Sequence, residues 1–188
     1  MKILSKIMMG TILFTLSATA QIKNIETSTA EAGSYAAHQA DVSQENTLFT
    51  ALYNSYFGVK DALVKSDGNT ASVKAKELSK AVKNIPMDKM QREQHNVWME
   101  NFPKIQEDAD RIAKTNDVKQ QREYFARLSS SMYKVVKAFD AKETIYYQKC
   151  PMYNDGKGAN WLSKESGIKN PYYGNKMLTC GKTVETIK

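Results

Sequence analysis

Four sulfur-containing side chains lie close together in two short segments near the C-terminus. Cys150 and Met152 flank Pro151, while Met177 and Cys180 lie three residues apart. Because a residue before proline favours extended backbone, and alternate residues of an extended chain share a face, Cys150 and Met152 are predicted to point to the same side. One helical or turn-like loop would bring Met177 and Cys180 together. The spacing therefore predicts that the four sulfur atoms converge if the intervening loop closes.

The chemistry of such a cluster would be the binding of a soft metal ion. Thiolate and thioether ligands favour Cu(I) or Ag(I), whereas zinc prefers additional thiolates or imidazoles. His95 is the histidine that falls within the predicted domain, and it is a candidate for an extra ligand. We therefore predict a metal site composed of Cys150, Met152, Met177, Cys180 and His95, with Cu(I) or Ag(I) as its ion.

A disulfide between Cys150 and Cys180 is the competing interpretation. Two cysteines in an exported chain are expected to pair. Closing a loop of about 30 residues would stabilise the fold by roughly 3 to 4 kcal/mol in the chain-entropy model. Under this alternative the protein is a non-enzymatic interaction or scaffold module of the cell envelope, with the tyrosine-rich tail as its contact surface. The sequence leaves both interpretations open.

Catalytic motifs are missing from the sequence. No Ser-His-Asp arrangement is present, and Cys150 has no identifiable base with an orienting partner. The segment that follows Cys150 is not a haem-attachment motif, and Gly156-Lys157-Gly158 lacks the spacing of a phosphate-binding loop. We therefore predict that the protein is not an enzyme.

The first 20 residues have the layout of a secretory signal peptide. Lys2 and Lys6 precede an apolar run that ends in Ser17-Ala18-Thr19-Ala20, which predicts cleavage after Ala20 and a periplasmic or secreted protein without a transmembrane anchor. Loss of the two lysines lowers the formal net charge from +7 to +5. The remaining charges are mixed in sign, and export makes nucleic acid an unsuitable partner.

The elements that must position these sulfur atoms begin after a polar segment, residues 21–41, which is predicted to be a flexible leader. The domain is predicted to span residues 42–188. Apolar residues at spacings of three and four predict four main helices, from about residues 42, 69, 87 and 116, the third kinked near Pro103. The predicted fold class is all-α, an up-and-down helical bundle.

The Cys/Met tail, residues 145–182, differs from the helical part in being rich in Gly, Asn, Pro and Tyr. Residues 144–147 favour β structure, and a short helix is predicted from Ala159 to Ser166, ended by Gly167. Asn170-Pro171 and Gly174 predict a tight turn that reverses the chain toward Met177. The tail has no core of its own, so we expect it to be irregular and folded back on the bundle. Trp161 and the pairs Tyr146-Tyr147 and Tyr172-Tyr173 are expected to cover the apolar end of the bundle and to hold the tail against it.

Three segments resemble a known family: QREYFARLSSSMYKVVKAF, YYQKCPMYNDGKGANWLS and IKNPYYGNKMLTCG. They are similar to a periplasmic domain-of-unknown-function family of Bacteroidota, over roughly residues 46–187. Members of that family occur alone, or fused to adaptor subunits of RND-type copper and silver efflux systems. The resemblance implies a role in metal efflux, with such an adaptor or another metal carrier as the partner, and it does not bring an established activity.

Overall fold

The computed structural model describes residues 48–88, 90–139, 141 and 143–188. The predicted signal peptide and leader lie outside these residues. Four helices precede three strands, and they span α1 (48–64), α2 (Gly68–Lys83), α3 (Arg92–Ala113), α4 (Val118–Ala138), β1 (Ile145–Cys150), β2 (Ala159–Ser163) and β3 (Lys182–Ile187). A short 3₁₀ helix, Gly174–Lys176, lies between β2 and β3.

Aspartate side chains begin two of the helices. The Asp67 carboxylate accepts a hydrogen bond from the Thr70 backbone amide at 2.9 Å, and α2 starts at the next residue. Asp117 accepts from the Lys119 amide at 2.8 Å and starts α4 in the same way. Each carboxylate satisfies an amide that has no partner within the helix. The helix starts predicted at about residues 69 and 116 are therefore within two residues of the observed ones.

Helix α3 runs without interruption through Pro103. The proline lacks one backbone donor, but residues on both sides keep helical geometry. The helix begins at Arg92, five residues later than the predicted start at Met87. Its side-chain cap is reciprocal, because Gln91 and Gln94 each accept a hydrogen bond from the other's backbone amide.

The core lies between the apolar faces of the four helices. Tyr56 of α1 stacks on Phe125 of α4, with ring centroids 5.3 Å apart. At the other end of the bundle, Phe49 contacts both Trp98 and Phe139. Aromatic rings bury large apolar areas, so these contacts contribute strongly to the stability of the bundle. Within the described residues, no helix is both long enough and apolar enough to cross a membrane.

The C-terminal part forms an antiparallel sheet with strand order β2-β1-β3. In β1, Gln148 lies opposite Trp161 of β2, and Lys149 lies opposite Lys182 of β3. The pairing with β3 contains an irregularity next to Gln148. Tyr147 of β1 stacks on Tyr133 of α4 at 4.0 Å between ring centroids, which places this sheet against the fourth helix.

The all-α prediction was wrong, because the tail is a three-stranded sheet rather than an irregular segment. The short helix predicted from Ala159 to Ser166 is strand β2, whose last three residues are all buried. The turn before it places Gly156 and Gly158 at φ of 82° and 78°, values that favour glycine. These glycines allow the chain to reverse into a hairpin, and ladder hydrogen bonds with β1 then outweigh any local helical preference of the segment.

Candidate functional site

The two cysteines lie together at one end of the sheet. Cys150 is the last residue of β1 and is fully buried, and Cys180 precedes β3 by two residues. Antiparallel pairing of Lys149 with Lys182 brings the end of β1 next to the start of β3. The two Sγ atoms are 3.9 Å apart, and both cysteines are free thiols. We refer to Cys150 and Cys180 as the thiol pair.

Asn170 holds the loop that carries Cys180. Its side-chain amide donates to the Cys180 carbonyl oxygen at 2.9 Å, and its backbone amide donates to the Leu178 carbonyl at 2.8 Å. Its own carbonyl oxygen accepts from the Gly174 amide, which confirms the turn predicted at this position. Asn170 is fully buried, so it fixes the loop from inside the protein. The sequence indicated the turn but not this link to Cys180.

Gly181 allows the close approach of the two segments. Its φ is 149°, and a Cβ atom there would lie 2.9 Å from the Lys149 carbonyl oxygen and 3.0 Å from the Trp161 ring. A side chain at this position would push β3 away from β1. The separation within the thiol pair therefore depends on a glycine that follows Cys180 directly.

Aromatic rings cover the sheet end that carries the thiol pair. Tyr172 and Trp161 are buried and contact each other edge to face, with centroids 5.9 Å apart. Tyr153 stacks on the outer side of Tyr172 at 4.4 Å, and Phe125 of α4 contacts Tyr172 at 6.0 Å. Burial raises the pKa of Tyr153 to about 12, so its hydroxyl stays neutral at physiological pH.

The two methionines lie on the loops beside the thiol pair. Strand β1 ends at Cys150, so Met152 lies in the following turn, and the alternation predicted from Pro151 does not extend to it. Met152 is 54% exposed, and its carbonyl oxygen accepts a hydrogen bond from the Tyr173 hydroxyl at 3.1 Å. Met177 is 37% exposed and follows the 3₁₀ helix. Both thioethers are accessible on the surface next to the cysteine-bearing segments.

His95 lies at the other end of the bundle. It is in the first turns of α3, where the neighbouring Gln94 side chain donates to the Ala138 carbonyl at the end of α4. The thiol end of the sheet instead contacts α4 near Phe125, thirteen residues earlier. At a rise of 1.5 Å per residue, the two positions are about 20 Å apart along α4. The structure thus groups the thiol pair with the loops of the two methionines and separates it from His95.

The surroundings of Cys180 affect the protonation of its thiol. Burial, then the hydrogen bond and the charge of Cys150, raise the pKa of the Cys180 thiol. Metal binding must displace thiol protons, so affinity is expected to increase with pH. Over the described part of the chain, no group of three or more His, Cys, Asp or Glu residues is placed to hold a metal ion. The methionines on the neighbouring loops are the predicted further ligands beside the thiol pair.

The sulfur separation has direct chemical consequences. With metal–sulfur bonds of about 2.3 Å, two sulfur atoms 3.9 Å apart subtend an angle of about 115° at a shared ion. That angle suits three or four ligands, whereas a linear two-ligand complex would need a separation of about 4.6 Å. A disulfide would require the sulfur atoms to move to about 2.05 Å. Metal binding by both thiols therefore needs the smaller rearrangement.

Comparison with known proteins identifies one family. Residues 52–144 match the model of a family described as protein of unknown function (DUF3347). The matched segment extends from α1 through α4 and ends directly before β1, so the thiol pair lies beyond it. No curated protein and no solved structure matches the chain. The match supports a domain of unknown function for the helical bundle and leaves the sheet to be interpreted from its own geometry.

Proposed function

We propose that this protein binds or buffers a soft monovalent metal ion, Cu(I) or Ag(I), in the periplasm or outside the cell. The observation that supports this proposal is the thiol pair, two free thiols 3.9 Å apart with Cys150 fully buried. The buried thiol of Cys150 would shield a bound ion from water, and the partly exposed thiol of Cys180 would keep the ion close to the surface. The role is binding and delivery rather than catalysis.

Ligand chemistry selects the ion. Two thiolates alone would serve several soft metals, but thioethers are poor ligands for zinc and good ones for Cu(I) and Ag(I). Met152 and Met177 lie on the two loops next to the thiol pair and are accessible. Either one could complete a three-ligand site, which is the coordination number that the sulfur separation favours. His95 is left out of the proposed ligand set because it lies at the other end of the bundle.

The cellular role follows from the N-terminal signal and from the resemblance to a family associated with metal efflux. An exported binding protein would hold Cu(I) or Ag(I) until an efflux adaptor or another metal carrier takes the ion. The ion is the cargo in this role, so the site must both bind and release it. The partial exposure of Cys180 is compatible with release.

An anaerobic titration tests the proposal. The reduced mature protein is titrated with Cu(I) in competition with a chromophoric Cu(I) chelator, and we expect one ion per chain. The Cys150→Ser/Cys180→Ser variant keeps the size of both side chains and should lose at least a hundredfold in affinity. Equal affinity in the two proteins would refute the proposal. Zn(II) titrated in the same way should bind far more weakly.

A structural disulfide is the second candidate, and the same sulfur separation supports it. Adjacent antiparallel segments carry the two cysteines, and a shift of about 2 Å would allow a bond. The protein would then be an envelope interaction module without a metal site. Mass spectrometry of unreduced protein, alkylated at the moment of cell lysis, distinguishes the two. Two alkylated cysteines favour the metal site, and a mass lower by two hydrogen atoms with no alkylation favours the disulfide.

A further inference from the structure

Two lysines lie directly opposite each other at the sheet end that carries the thiol pair. Lys149 precedes Cys150, Lys182 follows Gly181, and the two are cross-strand partners in β1 and β3. Like charges in this position repel each other and destabilise the sheet. The side chain of Lys149 also lies over the hairpin, because a Cβ atom on Gly158 would be 2.8 Å from its Cε atom. The repulsion between Lys149 and Lys182 thus lies at the end of the central strand and its neighbour β3.

Two further lysines lie on the loops that carry the methionines. Lys157 is in the turn after Met152, and Lys176 directly precedes Met177. Both are exposed. We call Lys149, Lys157, Lys176 and Lys182 the lysine rim.

The lysine rim is not neutralised by the protein itself. Other lysines of the C-terminal part form ion pairs, such as Lys164 with Glu143 and Lys169 with Glu165. No carboxylate among the described residues lies within ion-pair distance of a lysine of the rim. Asp155 is the remaining acidic residue between β1 and β3, and the charge of Glu123 of α4 reaches Tyr153 in the same turn, so the four lysines still leave an excess of positive charge. A surface that keeps mutually repelling charges unpaired next to a binding site is suited to a partner of opposite charge.

The exposure of the sulfur atoms indicates from which side the ion enters. Cys150 is fully buried, Cys180 is partly exposed, and both methionines reach the surface. An incoming ion therefore meets the thioethers and Cys180 before it reaches Cys150. The loops that present these sulfur atoms also carry Lys157 and Lys176, so a partner that delivers or receives the ion would lie against the rim.

We infer that the lysine rim is the docking surface for an acidic protein segment that carries a soft metal ion on its own thioether or thiolate ligands. This inference rests on the proposed function and names the chemistry of the partner. Acidic side chains on the partner pair with the rim, while its sulfur ligands exchange with those of the thiol pair. The lysines act on the rate of encounter, because electrostatic complementarity mainly accelerates association.

An anionic membrane surface is the other class of partner that a lysine cluster can attract. Two features favour a protein. A lipid headgroup offers no sulfur ligand to exchange with the thiol pair. The exposed large apolar side chains on the flanking loops are the two methionines, and Val184 of β3 is the exposed branched side chain closest in sequence to the rim, which is little apolar surface to insert into a bilayer.

The test measures metal transfer from synthetic peptides to the reduced mature protein. Two peptides carry the same pair of methionines loaded with Ag(I), one flanked by glutamates and one by lysines. Transfer is followed by stopped-flow tryptophan fluorescence, because Trp161 adjoins the thiol pair through Gly181. We expect the glutamate peptide to transfer Ag(I) at least tenfold faster at low salt, with the difference shrinking as salt is added.

The variant Lys149→Gln/Lys182→Gln should reduce the rate ratio of the two peptides several-fold. The matched control is Lys76→Gln/Lys80→Gln, which removes the same charge from the exposed face of α2 and should leave the ratio unchanged. An unchanged ratio in the rim variant would overturn the inference. A transfer rate that falls by the same factor for both peptides leaves the ratio unchanged and would overturn the inference in the same way. The lysines would then merely stabilise the anionic metal complex of the thiol pair.

Two further measurements separate the remaining outcomes. A peptide-free Ag(I) titration reports on the proposed function alone: absence of binding ends both proposals, whereas normal binding with no peptide discrimination ends only the docking proposal. Sedimentation with phosphatidylglycerol vesicles tests the membrane. Binding to vesicles that the rim variant loses, together with no discrimination between peptides, would assign the rim to lipid instead.

Discussion

Tyr56 of α1 and Ser129 of α4 share a buried hydrogen bond, with 2.7 Å between their hydroxyl oxygens. The Tyr56 hydroxyl also accepts a hydrogen bond from the Leu162 backbone amide of β2 at 3.1 Å. Two helices and the sheet therefore meet at one oxygen atom. This contact holds strand β2, and with it the sheet, at a fixed position against the bundle.

Replacing Tyr56 by Phe should destabilise the fold. The Leu162 amide and the Ser129 hydroxyl would lose their shared partner inside the protein, which costs roughly 1 to 3 kcal/mol. Urea denaturation followed by circular dichroism measures the loss. Tyr146→Phe is the matched control, because no described residue forms a hydrogen bond with the Tyr146 hydroxyl. A Tyr56→Phe variant as stable as this control would contradict the assigned role of the buried hydroxyl.

Arg122 should be essential for holding the loop between β2 and β3. Its guanidinium donates to the Pro171 carbonyl at 2.7 Å, the Leu63 carbonyl at 3.0 Å and the Ser66 hydroxyl at 2.9 Å. Burial lowers the pKa of this half-buried guanidinium, but it remains charged. Arg122→Met keeps the apolar stem and removes all three hydrogen bonds, so we expect a loss of roughly 2 to 3 kcal/mol.

Limited proteolysis gives a second measure of the Arg122→Met variant. Cleavage within residues 164–181 should become several-fold faster, because the loop loses its attachment to α1 and α4. Arg92→Met, which replaces an exposed arginine, should behave like the unmodified protein. Equal cleavage rates for both variants would show that the loop is held by its other contacts.

Much of the helical bundle could be predicted from the sequence, because its apolar residues recur at helical spacing. The sheet could not. Strand β3, Lys182–Ile187, is mostly exposed and buries only Ile187, so it lacks an alternating apolar pattern. Strand β2 has three consecutive buried residues instead of alternation. The Asn154-Asp155-Gly156 turn between β1 and β2 was the available signal, since such residues are typical of hairpins.

The candidate site shows the same division. Both interpretations of the sequence, a metal site and a disulfide, placed Cys150 beside Cys180, but the distance between their sulfur atoms depends on strand pairing and on Gly181. Neither the strand pairing nor the close approach at Gly181 can be predicted from the types of these residues alone. His95 of α3 lies near the C-terminal end of α4, far from the thiol pair. Its distance from the thiol pair depends on how the sheet packs on α4, and the sequence did not predict the sheet.

Stability at low pH should depend on Glu185 of β3. Its carboxylate accepts hydrogen bonds from Lys137 and Tyr133 of α4, each at 2.6 Å, and these contacts lower its pKa. A carboxyl whose pKa is lower in the folded state stabilises the fold above its unfolded value, roughly 4.3. This contribution is lost as the pH falls through the folded-state pKa.

Urea denaturation between about pH 3 and pH 6 tests the role of Glu185. The Glu185→Gln variant should be less stable near pH 6 and should lose less stability on acidification than the unmodified protein. Glu93→Gln, at an exposed position on α3, is the control and should leave the pH profile unchanged. Parallel profiles for Glu185→Gln and the unmodified protein would show that other carboxylates dominate acid unfolding.

The reactivity of Cys180 should report on its contact with Cys150. Burial, followed by the hydrogen bond and charge of Cys150, raises the pKa of Cys180, so less of the reactive thiolate is present at neutral pH. Cys150→Ala removes the contributions of Cys150 and should move the midpoint of iodoacetamide alkylation of Cys180 to lower pH. Cys150→Ser, which keeps a hydrogen-bonding group but no second thiolate, should give an intermediate midpoint. Mass spectrometry after timed alkylation measures both, and an unchanged midpoint in Cys150→Ala would mean that the two thiols do not interact in solution.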